Sequence, residues 1–167
     1  MTKDEILNSY IIPTLNDLDL NSQEAQDLMI GTCKQESNLG QYVIQVGGPA
    51  LGIYQCEPNT LIDIWNNYLA YNRLLFSKLR CIPGCEQLRI DVVPNPDLLV
   101  TNHLFSSAIC RVHYLRVKDS IPSRKNTSYN DYINDLANYY KIHYNTPQGA
   151  AKIPMVIANF KTVITPY

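Results

Sequence analysis

Apolar residues recur at helical spacing along most of the chain, and polar or proline-containing stretches separate these helical segments. Residues 3–16 keep their apolar side chains on one face, although Pro13 interrupts the segment. An Asn21-Ser22 cap and an acidic first turn then predict a helix over about 22–37. The remaining pattern predicts helices over 58–67, 71–81, 96–117, 129–143 and 149–162.

Residues 38–56 break this helical pattern. Glycines at positions 40, 47, 48 and 52 alternate with β-branched residues, which predicts a loop with a short hairpin. Pro58 then suits the first turn of the next helix, with Glu57 near its cap. We therefore expect a mainly α fold of about six to eight helices, with a small β or irregular segment after the helix that ends near residue 37. The length of 167 residues predicts one domain, 1–167.

Composition and charge exclude several classes of partner. Hydrophobic residues make up 46% of the chain and charged residues 17%, which is typical of a globular protein. The 14 basic and 15 acidic residues give a net charge of −1, so nothing favours a nucleic-acid partner. No apolar stretch is long enough for stable membrane insertion. The N-terminal sequence MTKDEILNSY lacks the regions of a secretory signal, so we expect synthesis in the cytoplasm.

The chain has five cysteines, and because this number is odd at least one is unpaired. Cys81 and Cys85 are close enough in sequence for a short disulfide loop or half of a metal site. A structural zinc site needs four spaced ligands, and neither a second Cys pair nor a His pair accompanies these two. We expect reduced thiols, no metal and no cofactor. The sequence leaves open whether Cys81 and Cys85 pair.

Glu36 is the strongest candidate for chemistry. It follows an apolar-periodic run and is expected in the last turn of the predicted 22–37 helix. Partial burial and the negative end of the helix dipole would both raise its pKa, which keeps a carboxyl group protonated near neutral pH as a general acid requires. The alternative is an ordinary solvated glutamate at a helix end.

Three motifs support the catalytic interpretation of Glu36. In chain order they are Glu36-Ser37, then residues 50–55 (ALGIYQ) with 57–60 (EPNT), then Tyr144-Asn145 followed by 146–149 (TPQG). Together they resemble the motifs of the soluble lytic transglycosylase and goose-type lysozyme superfamily, most closely its phage-encoded members. The chain departs from the family pattern at Tyr54 and Glu57, where the family usually has Met.

The resemblance implies a lysozyme-like fold and cleavage of the MurNAc–GlcNAc β-1,4 bond of peptidoglycan. Glu36 would protonate the glycosidic oxygen while the substrate's 2-acetamido carbonyl stabilises the developing cation. The same carboxylate would then accept the C6 hydroxyl proton, which leaves a 1,6-anhydromuramoyl end. The implied substrate-binding residues are Ser37, Tyr54, Gln55, Tyr144 and Asn145.

Each supporting role has a simpler alternative. Ser37 would orient the acetamido group or only cap the helix end, and Gln55 would donate to the sugar or fix the cleft backbone. Tyr144 would bring its hydroxyl near Glu36 and tune its protonation, or it is a core tyrosine at the end of a helix. Asn145 would hold the turn.

Two other functions stay open at the level of sequence. A hydrolytic muramidase normally uses a second carboxylate, and no Asp or Glu lies between Ser37 and Cys56, so Glu57 or Asp63 would have to serve. Glu57 is also explained by the positive end of the helix dipole. The other possibility is a virion protein that binds glycan without cleaving it.

The resemblance also implies a setting. The protein would act on the bacterial cell wall as a bacteriophage endolysin or as a virion-associated enzyme, either as a monomer or as a component of the virion. Without a secretory signal it would reach the wall through a holin pore or by carriage in the virion. The sequence does not specify the peptidoglycan chemotype.

Overall fold

The structure is a computed structural model that describes residues 1–145 and 149–167. Nine α-helices occur in these described parts of the chain, which confirms the predicted mainly α class. They are α1 (Lys3–Ile6), α2 (Ile12–Asp17), α3 (Gln23–Ser37), α4 (Pro58–Asn67), α5 (Arg73–Leu79), α6 (Leu98–Thr101), α7 (His103–Leu115), α8 (Tyr129–His143) and α9 (Ile153–Val163). A 3₁₀ turn over Leu69–Tyr71 follows α4.

The predicted interruption at Pro13 takes the form of a π turn. A π-helical segment, Leu7–Ile11, joins α1 to α2, and the Ile12 N–H donates to the Leu7 carbonyl five residues back. Pro13 lies in the first turn of α2, where its missing N–H is least costly. The chain therefore continues past the proline as one helical segment.

α3 lies in the core and carries Glu36 in its last turn. The Ser22 side chain accepts a hydrogen bond from the Ala25 N–H at the start of the helix, and Asn38 ends it in the left-handed conformation, with φ +49°. Thr32 is fully buried, and its hydroxyl pairs with the Tyr114 hydroxyl on α7 at 2.8 Å. α3 is thus fixed against its neighbours on several sides.

Two clusters of apolar side chains form the core, and α7 contributes to both. The first cluster joins α3 to α8 and α9, and Tyr114 of α7 belongs to it. The second lies among α4–α7 around Trp65, whose ring meets Phe76 edge-on with centroids 5.6 Å apart. The Trp65 indole N–H donates to the Arg89 carbonyl at 3.1 Å. α7 therefore separates the two halves of the molecule and is positioned by both.

The segment between α3 and α4 contains isolated antiparallel bridges instead of a regular hairpin. Leu51 pairs with both Ile44 and Cys56, and these single-residue bridges are the only β structure in the described part of the chain. Gly52 has φ +76°, and a Cβ added there would lie 2.3 Å from the Leu99 carbonyl oxygen. Only glycine allows this loop to pack so closely on α6.

The helix predicted over 96–117 is two helices in the structure. Asn102 adopts an extended conformation between α6 and α7, and its side-chain oxygen accepts from the Phe105 N–H at 3.0 Å. The same side chain donates to the Pro83 carbonyl at 3.0 Å. This residue caps α7 and anchors the 83–95 loop, because its polar group reaches both backbones.

The remaining boundaries follow local capping. The predicted helices 58–67 and 129–143 match α4 and α8. α9 begins at Ile153 instead of 149 because Pro154 occupies its first turn and starts the helix. α5 covers only Arg73–Leu79, within the predicted 71–81, and is capped by Asn72.

Within the described residues no helix is long and apolar enough to cross a membrane. All five cysteines are free thiols, including the exposed Cys81 and the buried Cys85. No group of three or more His, Cys, Asp or Glu in the described part of the chain is arranged to hold a metal ion.

The close packing of α3 on α9 makes a stability prediction at Gly31. A Cβ there would lie 2.8 Å from the buried Phe160 ring. Alanine gains about 1 kcal/mol of helix propensity over glycine, whereas over-packing a core costs about 1–3 kcal/mol. We expect Gly31→Ala to lower the free energy of unfolding by about 1 kcal/mol, as measured by urea denaturation. In a Phe160→Leu background the same change should no longer destabilise, and stabilisation of the wild type by alanine would contradict the close approach.

Candidate active site

A cleft of about 680 Å³ opens between the end of α3, the 38–57 loop, the end of α7 and the end of α8. It contains one largely buried acid, one exposed acid and several neutral polar side chains. The residues that line it are Glu36, Gln45, Ala50, Gln55, Cys56, Glu57, Thr60, His113, Tyr144, Asn145, Gly149 and Ala150.

Glu36 presents its carboxyl group to this cleft from the last turn of α3. Burial raises its pKa to about 7, while a hydrogen bond from the Tyr140 hydroxyl to Glu36 Oε1 opposes the rise. The pKa of Glu36 is therefore raised, as the sequence predicted, and the cause is the removal of solvent from the carboxyl group. At pH 7 such a carboxyl group exchanges its proton readily in both directions, as a residue that acts first as acid and then as base requires.

Tyr140 on α8 was not among the predicted site residues. The resemblance assigned the hydroxyl that tunes Glu36 to Tyr144, whereas the Tyr144 hydroxyl donates to the Tyr54 carbonyl at 2.8 Å. Tyr140 and Tyr144 lie one helical turn apart with nearly parallel rings, 6.0 Å between centroids. Their spacing of four residues was the sequence signal that both tyrosines share one face of α8.

Ser37 lies behind the cleft surface. It is fully buried, and its hydroxyl donates to the Ile53 carbonyl at 2.6 Å and accepts from the Gly40 N–H at 2.8 Å. These contacts fit the capping alternative, because they tie the end of α3 to the cleft wall. A fully buried hydroxyl is not available to orient an acetamido group, so this structure does not support Ser37 as a substrate contact.

The structure gives Tyr54 and Gln55 different roles. Tyr54 was predicted to contact the substrate, but it is fully buried in the core, with its hydroxyl 3.3 Å from the Ser107 hydroxyl. Gln55 adopts φ +47° and donates through its side-chain amide to the carbonyls of Tyr42 and Gly52, at 3.0 and 2.8 Å. Gln55 therefore fixes the backbone of the cleft wall, and it also lines the cleft.

Asn145 lines the cleft just after α8, as its motif position predicted. Its Oδ1 accepts a hydrogen bond from the Lys141 ammonium group at 2.7 Å, and its N–H donates to the Tyr140 carbonyl at 3.1 Å. Residues 146–148, the TPQ of the third motif, lie outside the described residues. Gly149, the last residue of that motif, also lines the cleft.

Two further residues complete the polar lining. Glu57 is exposed at the start of α4 and shares the cleft with Glu36. His113 on α7 packs against Tyr144, with ring centroids 4.6 Å apart, and burial lowers its pKa to about 4. Its imidazole is therefore neutral at pH 7. The sequence did not single out this histidine, since an isolated His in a helix gives no signal of a cleft.

Comparisons with known proteins returned no match to any family model, curated protein or solved structure. The motif resemblance therefore stays a sequence-based prediction, and the interpretation of the cleft depends on its geometry.

The contact between Tyr140 and Glu36 makes a titration prediction. We expect Tyr140→Phe to raise the pKa of Glu36 above its value of about 7, because the hydrogen bond that stabilises the charged carboxylate is then missing. The measurement is an NMR titration of ¹³C-labelled glutamate carboxyl groups. Tyr144→Phe is the matched control and should leave that pKa close to the wild-type value. If the control gave the larger rise, the assignment made by the resemblance would be right and ours wrong.

The raised pKa of Glu36 also predicts how stability depends on pH. The folded protein holds a proton up to about pH 7, whereas an ordinary glutamate loses it near pH 4.5. Between these values the unfolded state binds fewer protons, so Glu36 costs stability progressively as pH rises from 4.5 to 7.

Glu36→Gln removes this titration and keeps the size of the side chain. The free energy of unfolding of this variant, relative to that of the wild type, should increase by up to about 3 kcal/mol between pH 4 and pH 8. This follows from about 1.4 kcal/mol for each unit by which the pKa of Glu36 is raised. Urea denaturation at both pH values is the measurement. A difference that does not change with pH would mean that Glu36 has an ordinary pKa.

Proposed function

We propose that this protein is a lytic transglycosylase that cleaves the MurNAc–GlcNAc β-1,4 bond of peptidoglycan, with Glu36 as general acid and then general base. One observation carries the proposal: a largely buried carboxyl group with a pKa of about 7 faces a cleft and accepts a hydrogen bond from Tyr140. A volume of about 680 Å³ lies in the range of about 300–1,000 Å³ usual for ligand sites.

In the first step the protonated Glu36 gives its proton to the glycosidic oxygen, and the bond between this oxygen and C1 of MurNAc breaks. The carbonyl oxygen of the 2-acetamido group of MurNAc bonds to C1 and takes up the developing positive charge. The Tyr140 hydroxyl stabilises the carboxylate that Glu36 becomes at this stage, because it already donates to Oε1.

In the second step Glu36 accepts the proton of the C6 hydroxyl. The C6 oxygen then bonds to C1, the bond from C1 to the acetamido oxygen breaks, and a 1,6-anhydromuramoyl end results. Glu36 ends the cycle protonated, so the reaction needs no water nucleophile and no cofactor. A pKa near 7 suits both directions of proton transfer.

The fold that we propose for this chemistry is lysozyme-like. The helical body and the irregular wall that follows the acid-bearing α3 support this assignment. We also propose the phage setting that the motifs imply, in which the protein degrades the host cell wall as an endolysin or as part of a virion.

A hydrolytic muramidase is the second candidate, and the position of Glu57 favours it. Glu57 and Glu36 line the same cleft, one exposed and one largely buried. Two carboxyl groups in different environments are the arrangement that glycoside hydrolases use, one as acid and the other as base for water or as nucleophile. In this case the product would carry a reducing end.

The products of digestion distinguish these functions. We expect mass spectrometry of muropeptides released from purified peptidoglycan to find anhydromuramoyl ends with the wild type and, with Glu36→Gln, a loss of at least about 1,000-fold in release rate. Glu57→Gln should retain most of the activity of a transglycosylase. Products heavier by one water, lost in Glu57→Gln, would identify a muramidase. A wild type that binds glycan and releases nothing would be a binding protein.

A further inference from the structure

Lys141 makes two hydrogen bonds that join the end of α8 to the far side of the following loop. Its ammonium group donates to Asn145 Oδ1 at 2.7 Å and to the Gly149 carbonyl at 2.6 Å. Both partners line the cleft, whereas Lys141 itself does not. The lysine and the asparagine are four residues apart, so one turn of backbone separates them.

The charge of Lys141 is directed at neutral oxygens. No salt bridge to this lysine occurs among the described residues, although its ammonium group is partly buried. Hydrogen bonds from a charged donor are roughly twice as strong as those between neutral groups. The loop end and the Asn145 amide are therefore held more firmly than by an ordinary turn.

Gly149 also packs directly against Asn145. A Cβ added at Gly149 would lie 2.1 Å from the Asn145 carbonyl oxygen and 2.3 Å from its Oδ1. Backbone atoms cannot yield to such an overlap as a flexible side chain can, so any larger residue here would displace Asn145. The Lys141 ammonium group and the Gly149 backbone thus both hold Asn145 in place.

Asn145 in turn reaches the catalytic acid through Tyr140. Its N–H donates to the Tyr140 carbonyl at 3.1 Å. The Tyr140 hydroxyl donates to Glu36.

We propose that Lys141 is a positioning residue of the cleft, whose ammonium group ties Asn145 to Gly149 and so holds Asn145 against Tyr140, whose hydroxyl hydrogen-bonds Glu36. This inference rests on the proposed function, since it assigns Lys141 a part in turnover. It does not make Lys141 a catalytic residue, because its contacts are with protein oxygens only.

The test replaces Lys141 with Met, which keeps the length of the side chain and removes the charge and the donors. We expect kcat for muropeptide release to fall about tenfold or more, because Asn145 and the Tyr140 group that it contacts are no longer held in place relative to Glu36. Lys141→Arg retains the charge and should recover most of the lost kcat. The matched control is Lys161→Met, since Lys161 also donates to an asparagine Oδ1, that of Asn130, on an exposed surface.

A second measurement does not depend on activity. The side-chain amide signals of Asn145 in a ¹⁵N-labelled protein should move in Lys141→Met and stay in place in Lys161→Met. Gly149→Ala would push its new methyl group against Asn145, so it should move the same signals and lower kcat.

Two results would overturn the proposal: wild-type kcat in Lys141→Met, or a lower kcat and melting temperature with unmoved Asn145 signals. An inactive wild type would refute the proposed function and, with it, the part of Lys141 in turnover. The Asn145 signals would then still report whether Lys141 holds the loop.

Discussion

The hydrogen bond from Tyr140 to Glu36 connects α8 to the end of α3 in a place from which much of the solvent is excluded. Burial alone would favour the neutral acid, and the phenolic donor opposes this by favouring the carboxylate. The balance places the pKa at about 7, where one group can give and take a proton. Because the two residues come from helices far apart in sequence, the strength of the acid depends on how these helices pack.

The surrounding structure serves to hold this pair at the surface of the cleft. Asn38 stops α3 one turn past the apolar stretch, so the acid is close to the core yet open on one side. The Ser37 hydroxyl bonds the end of α3 to the Ile53 carbonyl of the cleft wall. The Gln55 side chain bonds two carbonyls within the same wall. These side chains use their polar groups for hydrogen bonds to the backbone of the cleft wall, and so they support the wall on which Glu36 depends.

The two mechanisms considered for this cleft differ in the group that acts together with Glu36. In the transglycosylase reaction that we propose, Glu36 acts alone, and the substrate would supply both the acetamido oxygen and the C6 hydroxyl, without water or a second carboxylate. With Glu57, which is exposed in the same cleft, a water molecule could be activated instead. The neutral His113 adds no charge to either path at pH 7. In either proposed mechanism the two acids would differ by environment and not by residue type.

The sequence by itself determined the features that depend on neighbouring residues: the α class, the ends of α3, α4 and α8, and the position of Glu36 in the last turn of α3. Caps and prolines act locally, so they can be recognised without a fold. Only the tertiary structure decided which tyrosine of α8 reaches Glu36, since both share a face and helix packing selects between them. It also buried Tyr54, because a side chain in an irregular loop has no periodic pattern from which its direction follows.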